Sequence, residues 1–320
     1  MLIKKPEQYH GTSQKRPFFE GWYHKMSSPS GESIVAIPGI YRSGITDKET
    51  AFLMLYEGSS EKVHYIPYSV DDFYCEPDKY ALRLGNNYFS MDEVQLNITT
   101  ESLKVQGQII HKNTKPWPVT LLEPGCMGWY SYVPTMECFH GILSMDHELN
   151  GHIQINDLVI QFDGGRGYME KDWGRNFPQN WIWAQSNKFK SPGLSISASL
   201  ATIPWRGTTF PGFIVGIQVD DQLYRFAPYR RSKIDFIQFN GQRLIWHLTQ
   251  GETQLKLEVI KGTKSGMLYA PDQDGMLPKV PEYLDASINF QLKQGNNYLA
   301  EGISQHAALE IVGNVKQLIN

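Results

Sequence analysis

The chain is poor in sulfur, in net charge and in long apolar runs, and each shortage removes a class of explanation. Its 320 residues hold three cysteines, Cys75, Cys126 and Cys138. The number is odd, no CxxC spacing occurs, and their surroundings are apolar or turn-like. Reduced, buried thiols are therefore expected, with neither a disulfide framework nor a zinc site. The formal net charge is -3, and the basic residues form no cluster beyond short runs such as Arg230-Arg231. A nucleic-acid partner needs a basic footprint, so none is expected, and contact with a membrane surface is at most transient. The longest apolar stretches lie near FLMLY and FIVGIQV, far short of the ~20 residues that span a bilayer. The first residues, MLIKKPEQYHGTSQKRPFFEGW, carry basic side chains without the apolar centre of a secretion signal. The expected location is cytoplasmic, peripheral to a membrane at most. The oligomeric state is not fixed by any of these features.

Helical periodicity is scarce as well; PEYLDA at Pro281 to Ala286 is the one short candidate. What fills the chain instead is a series of alternating or β-branched runs, among them SIVAI, AFLMLY, KVHYI, LKVQGQII, LVIQF, WIWAQ, LSISASLATI, FIVGIQV and LKLEVI. Turn residues separate them: Gly85-Asn86-Asn87, Asn150-Gly151, Asp163-Gly164-Gly165, Asp220-Asp221, Asn240-Gly241 and Gly295-Asn296-Asn297. The class is all-β.

The halves read as copies of one unit. Trp22-Tyr23-His24 followed by SIVAIP, AFLMLYEG and YIPYSVDDF parallels Trp181-Ile182-Trp183 followed by SASLATIP, FIVGIQVD and FAPYRRSKIDF. The Pro-Tyr pairs at 67-68 and 228-229 repeat this offset of about 160 residues. Two domains are expected, 1–164 and 165–320, each with about eight to ten strands closing into a barrel or curled sandwich. Length alone also admits one large β domain.

Chemistry concentrates between Gly167 and Asn187, GYMEKDWGRNFPQNWIWAQSN. Trp173, Trp181 and Trp183 are too much aromatic surface for a solvated loop. Glu170, Asp172, Arg175, Asn176, Gln185 and Asn187 are too polar for a plain core. A surface both apolar and hydrogen-bonding suits a ligand pocket. Strand alternation groups Glu20, Trp22 and His24 on one face, and Trp181, Trp183, Gln185 and Asn187 on another. The small row Ser195, Ser197, Ser199 and Ala201 leaves volume beside large aromatics, the mark of a cavity, although serines on a strand also suit a solvent face. A carboxyl flanked by indoles loses hydration and holds its proton, which makes Glu170 or Asp172 a candidate general acid; the rival reading is a solvated turn paired to Arg175. In Met136 to Gly141, Glu137 and His140 form a second candidate site, against the commoner role of a strand histidine as a structural hydrogen-bonder.

Four segments carry a family resemblance: FFEGWYHK (18–25), GWYSYVPTMECFHG (128–141), GYMEKDWGRNFPQNWIWAQSN (167–187) and ALEI (308–311). Together they resemble the tocopherol cyclase family, and they are spread over nearly the whole chain. The resemblance implies a pair of lipocalin-like β units, shared distantly with carotenoid hydratases and with Diels-Alder cyclases. It also implies closure of a chromanol ring on a prenylated quinol or related isoprenoid lipid, with no redox cofactor; the spacing of the ligand-type residues separately gives no expectation of a metal. Glu170 or Asp172 would donate the proton, and asparagine often stands in the family at the place of Asp172, which favours Glu170. Trp22, Trp173, Trp181 and Trp183 would face the cation, with Tyr23 in the substrate site. Glu20, His24, Glu137, His140, Gln185 and Asn187 would orient or deprotonate the hydroxyl, while Arg175 and Asn176 fix the loop. The alternatives are a lipocalin-like carrier without chemistry and an alkene hydratase.

Overall fold

The computed structural model describes residues 5–44, 49–205, 207–272 and 275–319. Among them are two antiparallel sheets. The first is built from β1 (Phe18–Ser27), β2 (Ser33–Arg42), β3 (Thr50–Glu57), β4 (Lys62–Tyr68), β5 (Phe73–Cys75), β6 (Ala81–Leu84), β7 (Asn87–Ser90), β8 (Glu93–Thr99), β9 (Lys104–Lys112), β10 (Cys138–Ile155), β11 (Leu158–Gln161) and β12 (Gly165–Gly174). The second comprises β13 (Trp181–Ser186), β14 (Leu194–Trp205), β15 (Thr208–Val219), β16 (Gln222–Phe226), β17 (Lys233–Phe239), β18 (Arg243–Gln250), β19 (Thr253–Ile260), β20 (Ser265–Asp272), β21 (Gly275–Gln294) and β22 (Asn297–Val312).

Duplication is visible in the pairing. The first sheet runs β4-β3-β2-β1-β12-β10-β9-β8-β7-β6-β5, with β11 on β10; the second runs β16-β15-β14-β13-β22-β21-β19-β18-β17, with β20 on β21. In both, a four-strand meander is joined at its first strand by the last strand of the copy. That return strand explains the domain boundary. The turn at Gly164-Gly165, expected to divide the chain, only opens β12, which pairs with β1 and β10. The compact units are Met1–Phe177 with Leu268–Lys279, and Pro178–Met267 with Val280–Asn320. The hairpin end at 268–279 belongs to the first unit, where Tyr269 stacks on Tyr65 at 4.4 Å and the Tyr41 hydroxyl donates to the Asp272 carbonyl.

Each unit has its own apolar core. Trp22, Leu53, Leu82, Phe89, Ile109 and Phe162 belong to the first, and Ile182, Ile196, Val215, Trp246, Leu257 and Phe290 to the second. Strands such as β8 alternate buried and exposed positions, the signature of a sheet wet on one side. By contrast, β1, β2 and β12 are buried at nearly every position. Both faces of these strands are dry.

Two local expectations are corrected. Pro281 to Ala286 is part of β21, with Val280, Glu282, Leu284 and Ala286 buried in a period of two. A buried glutamate interrupted the apolar alternation and hid it. Asn150-Gly151 is no turn: it lies inside β10, opposite Ile109 and Ile110. A Cβ on Gly151 would sit 2.1 Å from the Gln108 carbonyl oxygen, so glycine there permits close strand approach.

Candidate active site

The pairing of β12 with β1 is regular from Arg166 to Gly174, so alternation along β12 sorts its side chains into two sets. Trp173 lies across from Glu20 and Lys171 across from Trp22, on one face; Asp172 lies across from Gly21 and Glu170 across from Tyr23, on the other. The acids and the indoles of the motif therefore point opposite ways. Flanking in sequence is not flanking in space on a strand, and the expectation that Trp22 and Trp173 wall in Glu170 or Asp172 is corrected.

On the indole face the charged pair is Glu20 and Lys171, both fully buried. The Lys171 ammonium donates to Glu20 Oε1 at 2.5 Å, to the Gln8 carbonyl at 2.6 Å and to His10 Nδ1 at 2.8 Å. Its three protons are matched by three acceptors. It also lies 4.9 Å from the Trp22 ring centre and 4.5 Å from that of Trp173. The His10 amide donates to both Glu20 oxygens at 3.0 Å, and its ring stacks on Trp173 at 4.3 Å. Burial alone would raise the Glu20 pKa, but Lys171 and His10 outweigh it and hold the carboxyl below its ordinary value. Lys171 is lowered from its ordinary value by burial, against the pull of Glu20. Glu20, expected to orient a hydroxyl, is a sealed structural carboxylate. Trp22 is an anchor of the core, donating its indole N–H to the Glu7 carbonyl and stacking on Tyr80 at 5.4 Å.

His24 is likewise withdrawn from the substrate role. It is buried among Tyr80, Phe89 and His111, 2.6 Å from the Tyr80 hydroxyl. Burial raises Tyr80 well above its ordinary value and lowers His24, so a neutral phenol and a neutral imidazole share this hydrogen bond. His111 and His147 continue the row, their rings 4.5 Å apart. Burial, and then the neighbouring imidazoles, push His24 and His147 well below the ordinary histidine value; burial takes His111 to about 4. Gly167 makes room for this row, because a Cβ there would lie 2.1 Å from His147 Nε2.

The opposite face gathers His140, Asp172, Glu170, Tyr168 and Tyr23. β10 lies beside β12 with His140 across from Asp172 and Ile142 across from Glu170. His140 Nδ1 is 3.0 Å from Asp172 Oδ1, and Nε2 is 3.7 Å from Glu170 Oε2. The Tyr168 hydroxyl donates to the same Glu170 oxygen at 2.5 Å. One imidazole thus stands between two carboxyls, with a phenol on the inner one. The side chain of Glu170 is 7% exposed and that of Asp172 23%, so the network runs from the interior towards solvent. These three residues could also hold a metal ion, since their ligand atoms lie within 4.8 Å of one another. Cys126 donates to the His140 carbonyl and the His140 amide donates to Met127 Sδ, each at 3.1 Å, which fixes the histidine to the preceding loop.

Glu137 is half-buried and its carbonyl accepts from the Arg175 amide at 2.7 Å. Arg175 and Asn176 are exposed in the loop after β12, and Asn176 Oδ1 accepts from the Phe177 amide. Trp181, Trp183, Gln185 and Asn187 fall in the second unit and are buried. Ile182 and Ala184 belong to that unit's core, so Trp181 and Trp183 face away from it. Their face carries Gln185, Ser197, Ser199 and Glu310, which accepts from the Trp181 indole N–H at 2.7 Å. Ser195 and Ser197 are buried, which removes the solvent-face reading for them. A pocket of about 250 Å³ in the second unit, lined by residues such as Gln222, Arg225, Arg230 and Gln250, involves none of the predicted site residues.

Residues 108–313 match the family described as Tocopherol cyclase-like. The match takes in the His140 network, the tryptophans of the second unit and Glu310. The chain belongs to this family. The tocopherol cyclase of Zea mays is 24% identical to this tocopherol cyclase-like chain, over 95% of the chain and 77% of the maize protein. A probable tocopherol cyclase of Oryza sativa is 22% identical over the same shares. Among solved structures, CghA superposes with a TM-score of 0.65 at 9% identity, covering 98% of this chain and 93% of CghA. That likeness shows the fold of two tandem lipocalin-like β units. Family and curated relatives together support a catalytic function of the cyclase type.

Several residues of these sites escaped the sequence reading. Lys171 stands inside the motif, between Glu170 and Asp172. Tyr168 lies in it too, and Lys25, buried across from Tyr168, ends FFEGWYHK. Glu310 is the acid of ALEI. Membership in the four segments was the available signal for all of them. His10 lies outside the segments, and nothing in the sequence marks it.

Proposed function

We propose that this chain closes a chromanol-type ring on a prenylated quinol or a related isoprenoid lipid, by proton transfer and without net redox change. The observation that carries the reading is His140 held between Asp172 and Glu170, with Tyr168 on Glu170. In this reading Asp172 accepts a hydrogen bond from Nδ1–H and fixes the orientation of the ring. Nε2 then faces Glu170 Oε2 at 3.7 Å, and a small approach of the two side chains lets a proton pass between them.

Cyclisation needs that proton first and a base afterwards. The network's proton adds to the less substituted alkene carbon, the π electrons form the new C–H bond, and a tertiary cation remains. The phenol oxygen attacks the cation, the C–O bond forms, and the O–H proton returns to the carboxylate. Atoms and charge balance, and the product is an isomer of the substrate. The rings of Tyr23 and Tyr168, on the same face as Glu170, offer aromatic surface to the cation. Holding alkene and phenol together is the larger contribution to rate in such a closure.

The test is turnover of a prenylated quinol in D2O, read by mass spectrometry. The expected product carries one deuterium on carbon, and Glu170→Gln lowers the rate by at least about a hundredfold. Wild-type turnover in Glu170→Gln removes Glu170 from the acid role. Lipid recovered unchanged supports a carrier, and a product heavier by one water supports hydration. Loss of turnover on chelation, restored by a metal, reassigns His140, Glu170 and Asp172 as ligands.

A further inference from the structure

The segment between β9 and β10 is the longest described stretch of the first unit outside the strands, and its apolar side chains divide into two populations. Trp117, Cys126, Met127 and Met136 are buried and tie it to the unit. Val119, Leu121, Leu122, Trp129 and Tyr132 are exposed, Leu121 and Leu122 by 72% and 81%. Among the described residues, these five are over a third of the fourteen exposed large hydrophobic side chains. The others are scattered along strands and turns. From Trp117 to Thr135 the segment has one charged residue, Glu123. A water-facing loop has no reason to spend leucine pairs and aromatics on its outer side.

We propose that this segment is a membrane-docking knob that seats on the headgroup layer of an anionic bilayer. Three observations favour a lipid surface over a second protein. The exposed set mixes leucines with tryptophan and tyrosine, the combination that suits the apolar-polar boundary of a bilayer. The knob also satisfies its own polar groups: the Tyr132 hydroxyl donates to the Leu121 carbonyl at 2.5 Å, the Thr120 amide to the Glu123 carbonyl at 2.9 Å, and the Glu123 amide to Thr120 Oγ1 at 3.0 Å. Internal pairing lowers the cost of leaving water. Finally, exposed cations adjoin both ends of the segment and the chain packed on it: Lys112 ends β9, across from Glu148; Arg175 donates its amide to Glu137 just before β10; and exposed Lys5, beside Glu7, adjoins Pro6, which packs on Gly125. Anionic headgroups offer these cations partners.

The proposal is independent of the cyclisation reading, and its test does not use activity. Wild-type protein is floated with vesicles of phosphatidylcholine and phosphatidylglycerol, and with phosphatidylcholine alone. Binding to the anionic vesicles is expected, at least several-fold stronger than to the neutral ones. The double variant Leu121→Asp/Leu122→Asp is expected to lose about tenfold or more of it. Leu158→Asp, on the exposed β10-β11 hairpin, is expected to bind as wild type. Far-UV circular dichroism and the unfolding midpoint check that the variants fold. If the double variant misfolds, Trp129→Ser carries the test, with a several-fold loss expected. No wild-type binding, or equal binding of all variants, overturns the proposal. A dimer that dissociates in the double variant, with no vesicle binding, overturns it in favour of contact between copies.

Discussion

β1 and β13 hold the same place in the two sheets, yet they turn opposite faces to their cores. In β1 the core receives Trp22, and Tyr23 points the other way; in β13 the core receives Ile182 and Ala184, and Trp181 and Trp183 point away. Matched by eye in sequence, the two tryptophan strands look equivalent. Parity makes them different: the indole of Trp22 packs against a sealed ion pair, whereas that of Trp181 donates to a carboxylate on a polar face. The same division runs through β12, with Lys171 saturated on one side and Glu170 linked to His140 and Tyr168 on the other. Charge that is fully matched and dry has every proton committed; a chain of titratable groups is the arrangement that the proposed cyclisation requires.

The sharpest way to break this comparison is Lys171→Met. It leaves Glu20 buried without its cation, and the expected loss of stability is about 3–5 kcal/mol, read as a shift in the denaturant midpoint. A change under ~1 kcal/mol would show that the pair is not the structural element described. Next in size is the histidine row. For His111 the folded value, about 4, lies below the ordinary 6.5 of the unfolded chain. The unfolded state therefore binds the extra proton as pH falls, and stability drops between pH 6.5 and about 4, by about 3 kcal/mol from His111 alone. His24 and His147 act in the same direction. The contribution is fully present above pH 6.5. Equilibrium unfolding across that window measures it, and a slope unchanged in a folded His111→Phe variant would exclude this assignment.

On the other face of β12, His140→Asn is expected to lower turnover of a prenylated quinol by about a hundredfold, while the unfolding midpoint changes little. Equal losses of stability and turnover would erase the distinction between the two faces. The smallest effect belongs to Trp181→Phe. It removes the N–H that Glu310 accepts and keeps the aromatic bulk, at an expected cost of about 1–2 kcal/mol. A thermal shift no larger than that of an exposed control such as Tyr298→Phe would mean that the bond contributes nothing.

Alternation, turn residues and internal repetition were enough in the sequence to give the class and the duplication, and the resemblance of four segments gave the family. These are local or self-comparing properties, written in the spacing of apolar side chains and in four short segments. Which side of a strand faces the core was not legible for β1 or β12. Both parities carry apolar and polar residues there, Trp22 and Glu20 against Tyr23 and Lys25, because both faces are buried. Where one face is wet, as in β8, the parity shows in the sequence itself. Only the pairing of β12 with β1 and β10 separated Lys171 from Glu170 and brought His140 to Asp172. Those partners lie about 30 or 150 residues away in the chain, and register between such distant strands is set by packing of the whole unit.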